Sequence, residues 1–157
     1  MPRPTHRIDL LLVSHDSEHE IGTAEWEAIE VAWAHLPPEE RVAGGYGALR
    51  LDIPGRQVLY ANQMGGFRVS CPSSGDNIAP AYGRALLRWK AGESRSLDCP
   101  ACDQAHDLAT CLLAPPGAFG RWAIVFSDAQ DIALSDAARR VLESQIGPVY
   151  TVVRRPV

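Results

Sequence analysis

Two segments of this chain repeat one pattern, and any fold has to place both. Val69-Ser70-Cys71-Pro72-Ser73-Ser74-Gly75 and Leu97-Asp98-Cys99-Pro100-Ala101-Cys102-Asp103 each read apolar, any residue, Cys, Pro, any residue, then Cys or Ser. The second is a complete Cys-Pro-x-Cys. The first carries Ser74 where the second cysteine would stand. All four cysteines, Cys71, Cys99, Cys102 and Cys111, fall within one stretch of the chain.

This pair of segments resembles a zinc ribbon, in which two Cys-Pro-x-Cys knuckles clamp one zinc ion. A CxxC turn points both sulfurs to one side, and backbone N–H groups around it stabilise thiolate charge. Four such ligands make the closed tetrahedral site that Zn²⁺ favours. The resemblance covers about residues 69–111 and departs from the family in two respects. Ser74 removes a ligand, since a neutral hydroxyl substitutes poorly for a thiolate. A predicted helix, Ile78–Lys90, lies between the knuckles where a simple ribbon has a hairpin. His106 gives the compact spacing Cys99-x2-Cys102-x3-His106, Cys111 follows, and Asp76 offers an oxygen beside the first knuckle. The resemblance therefore implies one structural zinc ion on Cys71, Cys99, Cys102 and either His106 or Cys111. The competing reading is a site that has lost its metal, or four unrelated thiols, since free Cys is among the most buried residue types.

Cys99-Pro100-Ala101-Cys102 also has the spelling of a glutaredoxin-like dithiol, which makes a thiol-disulfide oxidoreductase the alternative function. Such a pair works when its first thiol sits at a helix N-terminus, whose dipole lowers the thiol pKa. Asp103–Leu113 is the candidate helix. Asp98, Asp103 and Asp107 crowd the motif with negative charge, which acts in the opposite direction. Thioredoxin-like folds also place the motif after the first strand, whereas here it lies past the middle of the chain.

Ser14-His15-Asp16-Ser17-Glu18-His19-Glu20 is a second segment rich in ligand types. In a helix His15 and His19 would lie one turn apart, able to share a metal with Asp16 or Glu20 as a metal-dependent hydrolase. The segment follows a predicted buried strand, a common location for active sites in α/β proteins. It is not HExxH. No G-x-S-x-G is present, and Ser127-Asp128 has no local His partner, so a Ser–His–acid hydrolase has no support.

Composition narrows the remaining classes. With 46% hydrophobic and 22% charged residues the chain is neither collagen-like, coiled-coil nor disordered. At 157 residues roughly 68–70% of the unfolded surface can be buried, so a core forms without help from a metal. The net charge is 15 − 19 = −4, leaving no positive surplus to displace counterions from phosphates, which argues against a nucleic-acid partner. No stretch approaches the ~20 apolar residues that span a bilayer, so no membrane partner is expected. Ile8–Val13 is short and carries Asp9; Arg3 and Arg7 precede it, but no small-residue cleavage site follows, so no signal peptide is expected. The expected compartment is the cytoplasm, where thiols stay reduced or bind metal.

Charge is unevenly spread. From Ile8 to Glu40 the chain carries Asp9, Asp16, Glu18, Glu20, Glu25, Glu27, Glu30, Glu39 and Glu40 and no Lys or Arg. Arg139, Arg140, Arg154 and Arg155 gather near the end. The acidic run reads as a solvated face or as a docking surface for a basic partner.

Arg7–Ser14 reads as a buried strand. Thr23 caps a helix to about Leu36, with Trp26, Ile29, Trp33 and Leu36 on one face and Glu27 and Glu30 mostly off it. Pro37-Pro38 ends it. Ala48–Ile53 and Gln57–Ala61 flank Pro54-Gly55-Arg56 and predict a β-hairpin, to which Gly66–Cys71 adds a third strand. Gly44-Gly45-Tyr46-Gly47 lacks the lysine and spacing of a phosphate loop and reads as a strand lead-in. Ile78, Tyr82, Ala85 and Trp89 share a face of the helix Ile78–Lys90. Asp107–Leu113 fits either helix or strand, and Pro115-Pro116-Gly117 breaks the chain. Arg121–Phe126 is a strand. Ser135 caps a helix with Ala138, Val141, Leu142 and Ile146 inward, Gly147 ends it, and Val149–Val153 is the final strand.

Strand–helix–strand with short loops predicts a βαβ unit or half of a split α/β arrangement. The expected fold is α+β: one domain over 1–157, a mixed or mostly antiparallel sheet with helices on one face, ferredoxin-like, with a ribbon-like insert over 66–111. The expected function is a non-enzymatic binding domain whose partner is another protein or a second copy of itself.

Overall fold

The computed structural model describes residues 8–42, 45–61, 68–129 and 134–154. Arg3, Arg7, Gly44, Gly66 and Arg155, named above, lie outside them. The elements run β1 (Ile8–Ser14), α1 (Thr23–His35), a 3₁₀ turn (Pro38–Glu40), β2 (Ala48–Asp52), β3 (Val58–Tyr60) and β4 (Arg68–Ser70). There follow α2 (Ala79–Lys90), β5 (Ser96–Asp98), β6 (Ala105–Asp107), a second 3₁₀ turn (Leu108–Thr110) and β7 (Leu112–Ala114). The chain ends with β8 (Ala118–Gly120), β9 (Ala123–Ala129), α3 (Asp136–Ile146) and β10 (Val149–Arg154). The chain divides into two compact units, Met1–Met64 with Gly117–Val157, and Gly65–Pro116.

The first unit is built on an antiparallel sheet of order β10-β1-β9-β2. Its centre is β1, where Leu10, Leu11, Leu12 and Val13 are all fully buried. A strand covered on both faces reads as a continuous apolar run, as Leu10–Val13 does. Leu10 and Leu12 face one way and join Ile29, Trp33 and Leu36 of the α1 segment, Ile124 and Phe126 of β9, and Ala138, Leu142 and Ile146 of α3. Each such large apolar side chain contributes about 1.5–3 kcal/mol on burial. The Trp33 indole N–H donates to the Tyr46 hydroxyl at 2.8 Å, so the polar end of this anchor is also satisfied. Leu11 and Val13 face the other way, where Tyr60 of β3 and Ala118 of β8 cover them with Ala123, Val125 and Val152. There β8 comes close to β1: a Cβ on Gly120 would lie 2.8 Å from Val13 Cγ1.

The strand order gives two interleaved split units. β1 and β2 flank β9, and β9 and β10 flank β1, with α1 and α3 packed on one face. This is the α+β, ferredoxin-like arrangement expected from the strand–helix–strand pattern. The helix ends follow local chemistry. Ser135 Oγ accepts the Ala138 N–H at 3.1 Å, and Gly147 leaves α3 at φ +76°. Gly22, not Thr23, is the residue before α1; the Glu25 carboxylate reaches back to its N–H at 3.3 Å.

The expected β2–β3 hairpin does not form. β2 pairs with β9, and β3 with β8. The turn at Gly55 exists, at φ +83°, but it carries the chain out of the sheet into the layer beneath it. Leu49 and Leu51 of β2 pack toward the helices, while Val58 and Tyr60 pack on the opposite face. The Tyr60 hydroxyl donates to Asp52 Oδ2 at 2.9 Å across this step. β4 likewise does not extend that pair, since its partner is β7 in the second unit. The strand expected at Arg121–Phe126 is β9, shifted to Ala123–Ala129 and preceded by β8, which the periodicity does not announce.

In the second unit β4 pairs with β7 and β5 with β6. The helix α2 packs against β4, β5 and the second 3₁₀ turn, burying Tyr82 and Ala85. Pro80 stands in its first turn, where its missing N–H costs nothing. Asp107–Leu113, compatible with either helix or strand, is divided among the end of β6, a 3₁₀ turn and the start of β7.

Candidate metal centre

The two Cys-Pro segments fold into the same turn. In the first, the Cys71 N–H donates to the Asp76 carbonyl at 2.8 Å and the Gly75 N–H to the Cys71 carbonyl at 2.9 Å. In the second, the Cys99 N–H donates to the Gln104 carbonyl at 2.9 Å and the Asp103 N–H to the Cys99 carbonyl at 2.9 Å. The residue that closes each turn has positive φ, +76° at Gly75 and +58° at Asp103. Each turn is held by a short antiparallel stem. Ser70 bridges Asn77 in the first, and β5 pairs with β6 in the second.

The second stem also places the histidine. His106 lies directly opposite Leu97, and opposed residues of an antiparallel pair share a face. Cys99 lies two residues beyond Leu97 and returns to that face. His106 thus joins the thiols through strand register.

One ligand atom from each of Cys71, Cys99, Cys102 and His106 lies within 4.8 Å of all the others, a group that could hold a metal ion. His106 Nε2 is 3.1 Å from Cys102 Sγ and 3.7 Å from Cys71 Sγ. Cys71 and Cys99 are buried, while Cys102 and His106 are half-buried. Among the described residues no other set of three or more such ligands comes together in this way.

Ser74 has a role that its reading as a lost ligand misses. Its hydroxyl and its backbone N–H, joined by the Ser73 N–H, bond the Cys71 sulfur and hold that thiol down at about 5. The two N–H contacts are each 3.4 Å long. The Asp76 N–H in turn donates to Ser74 Oγ at 3.3 Å. The position three residues after the knuckle cysteine is therefore a thiol in one turn and a thiolate's hydrogen-bond donor in the other. At Cys102 the Gln104 N–H acts downward most strongly, but burial and the neighbouring Cys99 and Cys71 thiols outweigh it and the thiol is raised.

Cys111 is buried outside the group of four, its thiol 3.9 Å from the Asp107 carbonyl. Burial first, then the nearby Cys99, Cys71 and Asp107, pushes it up to about 11. Asp76 contributes its main chain to the first knuckle. Arg95 donates twice to the Asp107 carboxylate, at 2.8 and 3.0 Å, and ties the two ends of the β5–β6 stem.

His15 and His19 belong to the first unit and engage different partners. His15 stacks on Tyr150 with ring centroids 3.9 Å apart. His19 Nδ1 accepts the Trp122 indole N–H at 3.0 Å, and its Nε2 lies 3.4 Å from Glu25. The helix that would align them is not formed, because residues 15–18 make a bend and a turn.

No family model, curated protein or solved structure matches the chain.

Proposed function

We propose that residues 65–116 carry a structural zinc ion on Cys71, Cys99, Cys102 and His106, and that the protein acts through contacts with another protein or a second copy of itself without catalysing a reaction. The observation that carries this reading is the convergence of three sulfurs and one imidazole within 4.8 Å. Zinc–sulfur bonds of about 2.3 Å and zinc–nitrogen bonds of about 2.0–2.1 Å in a tetrahedron put neighbouring ligand atoms about 3.6–3.8 Å apart, a spacing that fits inside the 4.8 Å enclosing the four ligand atoms here. Cys₃His is an established structural donor set, and it suits zinc more than the oxygen-seeking Ca²⁺ or Mg²⁺. His106 would bind through Nε2, with its proton on Nδ1.

Four protein donors fill a tetrahedral zinc and leave no open position for water or substrate, which is the mark of a structural site. The zinc-ribbon likeness lies in the paired knuckles; a histidine takes the fourth position, and Ser74 supports Cys71 from outside it. The dithiol reading asks for a helix over Asp103–Leu113, whereas β6, a 3₁₀ turn and the start of β7 occupy that stretch. Zinc–thiolate chemistry of this kind fits a reducing compartment, the cytoplasm, as the place of action.

Substitution separates ligands from bystanders. Cys71→Ser and His106→Ala should each lose most of the metal retained by the wild-type protein. Cys111→Ser should retain it in full. Equal retention by all three variants would contradict the proposed ligand set.

A further inference from the structure

Two helices, one in each unit, present exposed faces of opposite character. On α1, Glu27, Glu30, Val31 and Ala34 are exposed and follow i, i+3, i+4, i+7 spacing, so they share one face. On α2, Arg84, Leu87, Arg88 and Ala91 follow the same spacing at the end of the helix and are likewise exposed. Each face thus carries two like charges, one large apolar side chain and an alanine. Val31 is 59% and Leu87 67% exposed, two of the few large hydrophobic side chains left open. The helix α2 contains Arg84, Arg88 and Lys90 and no acidic residue, while α1 contains Glu25, Glu27 and Glu30 and no Lys or Arg. Among the described residues, Glu27, Glu30, Arg84 and Arg88 form no ion pair.

We propose that the α1 face of one copy docks on the α2 face of a second copy, Glu27 and Glu30 meeting Arg84 and Arg88 around a Val31–Leu87 contact. Charge selects the occupant: a face with two unpaired carboxylates one helical turn apart, Glu27 and Glu30, is complemented in sign by a face with two unpaired guanidiniums one turn apart, Arg84 and Arg88. Opposed potentials of this kind steer association and fix its register. The contact joins different surfaces, so it either closes on itself by a two-fold that repeats it or continues head to tail. One helix pair is at the low end of specific interfaces, so the association is weak and sensitive to salt. This proposal is independent of the metal assignment.

Sedimentation of the protein as purified, over a wide concentration range, tests it. The average mass should rise above the 17.1 kDa of the monomer as concentration increases. It should fall back at about 1 M salt, where the screening length is about 3 Å. Glu27→Lys/Glu30→Lys and Arg84→Glu/Arg88→Glu should each weaken association at least about tenfold. An equimolar mixture of the two double variants should associate again, because each reversed face meets its complement on the other protein. Adding Leu87→Ser should weaken that mixture, which attraction of net charge alone would not explain. A mass fixed at 17.1 kDa at every concentration would overturn the proposal. So would a dimer indifferent to both charge reversals, or a mixture that stays monomeric.

Discussion

Gly75 and Asp103 stand at the same place in two copies of one turn, each donating its N–H to the carbonyl of the cysteine four residues earlier, each at positive φ. Glycine takes that conformation without steric cost, and aspartate takes it with some strain. Asp103→Gly should therefore leave stability unchanged or raise it by up to about 1 kcal/mol, whereas Gly75→Ala should lower it by about 1 kcal/mol or more. Denaturant unfolding of the metal-loaded protein reads both changes. A loss on Asp103→Gly as large as that on Gly75→Ala would show that the two turns are not equivalent.

Ser74 supports Cys71 from outside the ligand set, with its hydroxyl and its N–H on the sulfur. Ser74→Ala keeps the N–H and removes the hydroxyl. Outer-shell changes of this type typically weaken metal binding about 10–100-fold, and the lower end is expected here because two N–H donors remain. Competition with a chromophoric zinc chelator measures the change. An unaltered affinity would reduce Ser74 to a turn residue.

Cys111 supplies a pH dependence. Its thiol is raised from an ordinary 9.0 to about 11 by burial and by neighbouring negative groups. A raised thiol favours the neutral form in the folded protein. Its stabilising contribution is therefore complete below the ordinary value and is lost as pH climbs through about 11. Between those values the wild-type protein should lose stability faster than Cys111→Ser does, as read from the difference in their melting temperatures. Parallel melting curves for the two proteins would contradict the assignment.

Leu12 lies in the central strand with no exposure and belongs to the cluster between the sheet and its helices. Leu12→Ala should cost about 2–5 kcal/mol of stability. The proposed ligands all lie within Gly65–Pro116, so metal content under native conditions should not change. A Leu12→Ala protein that folds but has lost its metal would show that the second unit does not hold the ion by itself.

Much of the first unit is legible in the sequence because its elements announce themselves locally. Leu10–Val13 is an unbroken apolar run, Ser135 and Gly147 mark the two ends of α3, and Pro37-Pro38 stops α1. The β2–β3 hairpin is misread because Pro54-Gly55-Arg56 specifies a turn without saying which strands pair beyond it. That choice belongs to Leu49 and Leu51, which pack on one side of the sheet, and to Val58 and Tyr60, which pack on the other. Gly120, Phe119 and Ala118 are too few to show a period, so β8 escapes notice.

The site is legible to the level of residue type. The repeated Cys-Pro pattern picks out Cys71, Cys99 and Cys102, and spacing alone leaves His106, Cys111 and Asp76 as candidates for the fourth place. Strand register brings His106 to the three thiols: it opposes Leu97, while Cys111 follows a 3₁₀ turn and ends 3.9 Å from the Asp107 carbonyl. Pairing of that kind depends on where two strands meet, which a linear spacing does not record. The second life of Ser74, as a donor to the thiolate it sits beside, is likewise hidden until the turn is folded.

Metal content of the protein expressed and purified without added zinc, measured together with thiol titration, tests the central claim most directly. A structural zinc centre predicts about one zinc per chain, with Cys71, Cys99 and Cys102 unreactive until a chelator is added to the unfolded protein. Protein that carries no metal while those three thiols react freely in the folded state would contradict it.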